Sequence, residues 1–235
     1  MTQLVWHGSS NTFDRFSLAA IGSGEGSQAF GWGLYFAANR AVAEYYQETL
    51  CSPGEALGWY VEQNEAGDWI VYDAEDGILD AFEDEAEADA MVACKGPGQL
   101  CLVEIPADLT FLLWDKPAQA QPVRVRDALA ALAIEPGGVM PTLNGVTYDF
   151  NIVVGEGIYG YLSALLGGDK QASQALAEQG VAGIKYQDGL TRGMAVGTYN
   201  YVVFDDQAVT LLEVHRGTAV VAMAPPPVDN DFACQ

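Results

Sequence analysis

The sequence predicts an α+β fold, a split pair of small mixed or antiparallel sheets with helices between the strands. Short apolar runs bounded by Gly, Pro, Asn and Asp recur along the chain in an order that suits such sheets. A loop with five glycines between Gly22 and Gly33 separates the first two of these runs. With 235 residues, half of them hydrophobic, the chain can bury a sizeable core as one domain with an insertion or as two small domains. A single doubly wound parallel sheet is the arrangement this reading excludes.

The first run, Leu4 to His7, reads as a strand that ends at a histidine, and Leu34 to Ala37 reads as the second strand. The loop between them is denser in glycine than a turn requires. Such a backbone comes close to a ligand and offers it several N–H groups. Asn39 to Thr49 carries Ala41, Val42, Tyr45 and Tyr46 at helical spacing, with Asn39 as N-cap, and this helix brings Tyr46 back toward the loop. From Pro53 the character changes. Gly58–Glu62, Asp68–Asp73 and Ile78–Phe82 read as strands joined by Glu65-Ala-Gly and Glu75-Asp-Gly turns, and Glu83–Cys94 reads as an acidic amphipathic helix. No Lys or Arg occurs between Arg40 and Lys95, so residues 53–98 read as an acidic β-β-β-α insertion.

Beyond it, Gln99–Ile105 is strand-like and Phe111–Leu113 is apolar up to the break at Pro117. Val123–Ile134 is helical, and Pro136–Gly145 is a turn-rich surface loop. Ile158–Leu166 and Lys170–Gln179 read as two helices, the second capped by Asp169. Ala182–Tyr186, Tyr199–Asp205 and Val209–His215 are late strands, Thr218–Met223 is a fourth apolar run, and residues 225–235 form a proline-led tail. The main unit therefore spans residues 1–52 and 99–224.

Against 32 acidic residues stand 10 Lys and Arg, a formal charge of −22. That field repels polyanions and argues against a duplex nucleic-acid partner, while the acidic insertion reads as a solvated face without a partner or, alternatively, as a docking surface for a basic protein. The four cysteines show no Cys-x-x-Cys spacing and accompany only two histidines, which argues against a zinc site and for buried free thiols. No basic, apolar leader and no bilayer-length apolar stretch occurs, so the expectation is a cytoplasmic protein without membrane contact, or a piece delivered within a larger one.

Several segments resemble a known family. Trp6-His7-Gly8-Ser9, Phe30-Gly31-Trp32-Gly33-Leu34-Tyr35-Phe36-Ala37 and Ala43-Glu44-Tyr45-Tyr46 resemble the NAD-binding core of the ADP-ribosyltransferases, of the histidine-tyrosine-glutamate kind that includes the poly(ADP-ribose) polymerases. The Gly22–Gln28 loop, Trp114-Asp115-Lys116-Pro117, Gly168-Asp169-Lys170 and Gly183-Ile184-Lys185-Tyr186 look like the ADP-ribosyltransferase-like domains of phage and mobile-element polyvalent proteins. The resemblance covers most of residues 1–214. It implies two sheets split around an NAD cleft, and NAD as co-substrate without a metal. It further implies a toxin or host-modifying factor, in a bacterial or phage-infected cell, that moves ADP-ribose to an unknown acceptor.

Cleaving the nicotinamide–ribose bond needs a ring platform, backbone groups for the amide, and hydrogen-bonding groups at the ribose. The resemblance assigns His7 to the ribose and Gly8 to the nicotinamide amide. It makes Tyr35 and Tyr46 the two faces of a ring sandwich, with Tyr45 as the alternative for the second. Ser9, Gly24, Gln28 and Phe36 complete the expected NAD contacts. The serine that often grips the amide falls at Ala43, and the family glutamate falls at Asn200. An amide bonds a hydroxyl but takes no proton, so a single transfer or none is expected, with Glu25 and Gln28 as candidates to make up the deficit. The competing readings are a silent fold that binds NAD or ADP-ribose, and an NAD glycohydrolase. A serine hydrolase using Ser9 or Ser10 with His7 lacks the Gly-x-Ser-x-Gly elbow. His215 reads as structural.

Overall fold

The computed structural model describes residues 2–21, 28–51, 58–93, 98–139, 141–189, 197–216 and 219–223. The class is α+β. The main sheet has eight strands: β1 (Thr2–Ser9), β2 (Leu34–Ala37), β6 (Gln99–Pro106), β7 (Phe111–Leu113), β10 (Gly183–Gln187), β11 (Tyr199–Val203), β12 (Thr210–Arg216) and β13 (Ala219–Ala222). Their order is β13-β12-β6-β1-β2-β11-β10-β7, antiparallel except for the β10/β7 pair.

Two separate sheets were expected, whereas these strands follow one another in a single order. The split is nevertheless visible within it. β1 runs against β6 over eight register pairs, and β2 against β11 over four, but β1 and β2 share one pair, Trp6 with Ala37. Two four-stranded halves thus meet at a seam almost without ladder. The halves also bury their apolar faces differently. On the β2 side, Leu112, Ile184 and Val202 pack under α3 (Val123–Ala131), α4 (Gly155–Leu166) and α5 (Asp169–Glu178). Val5, Val103, Ile105, Phe111 and Val203 form a second core that runs beneath the seam.

Helix α1 (Arg40–Cys51) follows β2, and Asn39 caps it by accepting from the Ala41 N–H at 3.0 Å, as the sequence predicts. The chain then leaves the large sheet and returns to it at β6. Between them, β3 (Tyr60–Gln63), β4 (Trp69–Tyr72) and β5 (Ile78–Phe82) make their own antiparallel sheet. Helix α2 (Glu85–Val92), capped by Asp84, lays Ala88 and Val92 on Val71 to give this unit a core of its own.

Three local expectations need correction. The expected loop 136–145 holds the first strand and turn of a small hairpin that closes just past it, β8 (Thr142–Leu143) with β9 (Val146–Thr147), turned by Asn144 and Gly145 at φ 51° and 80°. Asn-Gly takes both left-handed positions of such a turn, but two-residue strands carry no readable alternation. Asp169 does not cap α5: Gly168 holds the cap position, while Asp169 is the first helical residue and accepts from Ser163 Oγ at 2.5 Å. Helix α3 ends at Ala131, three residues short, because Ala133 turns at φ 59°. Of the cysteines, Cys101 is a buried free thiol that burial pushes up to about 12. Among the described residues no helix is long and apolar enough to cross a membrane.

Candidate functional site

Where β1 and β2 part, a cleft of about 400 Å³ opens, within the range of small-molecule sites. Its floor follows from register. Ala37 of β2 is paired with Trp6 on one side and Asn200 on the other, and Asn200 is paired with Tyr186. Residues in one cross-strand row present their side chains to the same face, so this row of four lies across the cleft, and all four line it.

His7 stands one step beyond the last β1/β2 pair. Its Nδ1 lies 2.8 Å from the carbonyl of Tyr35. A carbonyl only accepts, so Nδ1 carries the proton and the ring spans the seam where ladder bonds stop. Phe13, Phe16 and Phe36 surround the ring with centroids at 6.0, 5.1 and 5.8 Å. Burial lowers the imidazole below its ordinary value, and the bond to Tyr35 opposes this only in part. The ring is therefore neutral at pH 7 with Nε2 as its acceptor atom, and His7 is one of the residues that line the cleft.

Gly8 is a glycine because α1 lies directly on it: a Cβ there would fall 2.0 Å from the Ala43 carbonyl oxygen and 2.8 Å from the Gln47 nitrogen. That contact seats α1, whose Tyr46 lines the cleft at half exposure, while Tyr45 is not among its described lining residues. Ala43 is itself part of the wall, so an alanine methyl stands where a serine hydroxyl was a possible grip.

Tyr35 contributes in an unforeseen way. Its hydroxyl accepts from the Phe30 N–H at 3.1 Å and donates to the Gly31 carbonyl at 2.8 Å, which ties down the C-terminal end of the glycine loop. The loop is held from behind as well: Tyr159 of α4 accepts from the Trp32 N–H, and Ser173 of α5 donates to the Trp32 carbonyl. Tyr35→Phe is expected to loosen the loop and lower ligand affinity about fivefold, near the 1 kcal/mol worth of a neutral hydrogen bond. Tyr35→Ala also removes the ring that meets Tyr186 edge to face at 6.5 Å and should cost about 2 to 3 kcal/mol. Calorimetric titration of both variants with NAD checks the order.

Of the other predicted contacts, Gln28 lines the cleft, and Phe36 is in the second core with its ring against His7. Ser9 is not among the lining residues; its hydroxyl accepts from the Asn11 N–H in a turn. Gly24 and Glu25 lie outside the described residues.

Other residues the reading of the sequence did not assign to the site complete it. Phe30 stacks on Tyr186 with centroids 3.8 Å apart and planes 9° from parallel, and this pair walls the cleft beside Tyr35. A second cavity of about 510 Å³ shares Ala29, Phe30 and Tyr186 with the first and carries Asp115 and Glu156. Behind Asn200 lies Asp188, buried at 3% exposure, with Asn200 Nδ2 donating to its Oδ1 at 3.3 Å. Tyr186 and Asp188 had a signal in the Gly-Ile-Lys-Tyr-Gln-Asp run that precedes Gly189, but only the β10/β11 register shows that they share a face. The described lining holds aromatic rings, small residues, amides and a neutral imidazole, and no charged side chain. Comparison of the chain with protein-family models, with curated proteins and with solved structures returned no match.

Proposed function

We propose that the protein is an NAD-dependent mono-ADP-ribosyltransferase with an ADP-ribosyltransferase fold, which cleaves the nicotinamide–ribose bond and passes ADP-ribose to an acceptor. The observation that supports this reading is the cleft at the seam. It gathers His7, Gly8, Tyr35, Tyr46, Gln28 and Asn200, residues singled out by motif, from both sheet halves and from α1 into one wall. The chemistry fits. Flat aromatic faces suit a cationic heterocycle by stacking and cation–π attraction, and a neutral His7, whose Nε2 is an acceptor, suits a ribose hydroxyl. The leaving ring is cationic before the bond breaks, so little acid help is needed and the work falls on orientation and charge stabilisation. The neighbouring cavity gives an acceptor room to approach past the Phe30–Tyr186 pair. A host-modifying role for a phage or mobile element, in the cytoplasm, belongs to the same proposal.

Asn200 in place of a glutamate favours a second reading, a fold that binds NAD or ADP-ribose without turnover. Incubation with NAD labelled on the adenine side and, separately, on nicotinamide distinguishes the cases. Release of nicotinamide with label on a macromolecule is the expected result. Release without transfer identifies a glycohydrolase, and binding without release identifies the silent fold. No binding of either NAD or ADP-ribose overturns the proposal.

A further inference from the structure

We infer that Asp188 supplies, through Asn200, the carboxylate that the cleft wall lacks, which makes Asn200 a hydroxyl acceptor and Asp188 its positioning residue. The inference rests on the NAD reading above. Asp188 follows β10 directly, and its backbone N–H donates to the Thr198 carbonyl at 3.0 Å, so the strand pair holds it in place. It lies two residues past Tyr186, the register partner of Asn200, and is therefore the diagonal neighbour of Asn200 on the same face. Both side chains are buried, Asn200 at 4% and Asp188 at 3% exposure.

An ionised carboxylate only accepts hydrogen bonds. With Asp188 on one side, the amide of Asn200 must turn Nδ2 toward it, as the 3.3 Å contact shows. Oδ1 is then the amide atom not engaged by Asp188; Asn200 lines the cleft, and this buried oxygen has no hydrogen-bond partner among the described residues. A buried acceptor without a partner is costly unless a ligand satisfies it. The ligand group it selects is a hydroxyl donor, such as one of the ribose. Donation from Nδ2 to a negative group also polarises the amide and strengthens Oδ1 as an acceptor. The Asp188 carboxyl stands one side chain behind the wall against which the proposed reading places the sugar, in a water-poor setting where acceptor groups favour the positive charge that develops as nicotinamide leaves. Without Asp188 the amide is free to flip and offer N–H donors, which repel the hydroxyl proton.

The test uses the full chain and reads nicotinamide release, NAD affinity and thermal stability for the parent, Asp188→Asn, Asn200→Ala and the double variant, with Glu25→Gln as the rival carboxylate. Asp188→Asn keeps the shape but offers donors of its own, so kcat/KM should fall about tenfold or more, the scale of one charge-assisted hydrogen bond. Because Asp188 acts through Asn200, adding Asp188→Asn to Asn200→Ala should cost almost nothing further, a coupling that a purely structural role does not produce. If Asp188→Asn does not fold, Asp188→Ser replaces it in the cycle. A parent that binds NAD without turnover is read in the same cycle on Kd, with the same coupling expected. Losses that add fully in the double variant, or an Asp188→Asn protein that matches the parent while Glu25→Gln fails, overturn the inference and leave the NAD reading intact. A parent that does not bind NAD overturns both.

Discussion

Gly8→Ala is expected to unseat helix α1 and, on the proposed reading of the cleft, to abolish NAD binding with it. The added methyl would stand 2.0 Å from the Ala43 carbonyl oxygen and 2.8 Å from the Gln47 nitrogen, both backbone atoms in the middle of a helix. A flexible side chain could swing away, but a helix moves as a body, and here it must move by more than an ångström. Overpacking of this kind costs about 3 kcal/mol, which for a chain of this length lowers Tm by on the order of 6–12 °C. The functional loss goes beyond the stability loss because Tyr46 and Ala43 leave the cleft wall together. A melting curve with a parallel NAD titration checks this. A Gly8→Ala protein that melted within 2 °C of the parent, a margin of about half a kcal/mol, would show that the α1/β1 packing has slack that the geometry denies.

The same contact shows what was legible in the sequence. The run from Trp6 to Ser9, the cap at Asn39 and the four elements of the acidic insertion could be read because each is local: an alternation, a capping residue, a turn with Gly at its end. That Gly8 is an approach point for a helix 35 positions along could not, because the Ala43 carbonyl is brought there by packing. The site divides in the same way. His7, Tyr35 and Tyr46 were readable as residue types at motif spacing. The single Trp6–Ala37 pair that opens the cleft is a matter of register, as is the Tyr186–Asn200–Ala37–Trp6 row, and register is decided by which faces find burial. The signal at Asp188 was weak for a further reason. A carboxylate before a glycine at a strand end reads as a solvated turn, and here it is buried. Glu25 was the carboxylate that composition suggested, since its glycine neighbours free the backbone, whereas strand pairing points to Asp188.

His7→Ala should carry the largest effect on turnover among substitutions that leave helix α1 seated. Two atoms of one ring are lost: Nε2, the acceptor offered to a ribose hydroxyl, and Nδ1–H, the donor that satisfies the Tyr35 carbonyl across the seam at 2.8 Å. Turnover efficiency should fall about a hundredfold, or about 2.7 kcal/mol of barrier. Stability should fall as well, because an unsatisfied carbonyl is left where the ladder is thinnest. His7→Phe separates the two losses. It fills the space among Phe13, Phe16 and Phe36 and should recover much of the stability, but it restores neither polar atom, so turnover should stay low. His7→Gln, with a donor and an acceptor on one amide, should recover part of the turnover. The parent also carries a pH signature that the variants lack. The folded imidazole titrates below its ordinary value, chiefly through burial, while the unfolded chain titrates near 6.5. Above that value both states are neutral and the full contribution of His7 to stability is present. As pH falls below it, the unfolded state takes up the proton more readily, so stability declines, and the loss is complete once pH passes the lower folded value. His7→Phe removes this slope, and the stability gap between parent and variant should change across that window. Denaturant titrations at intervals from pH 7.5 downward measure it, and a gap that stayed constant over the whole range would mean that the imidazole is not the neutral, seam-bridging group described here.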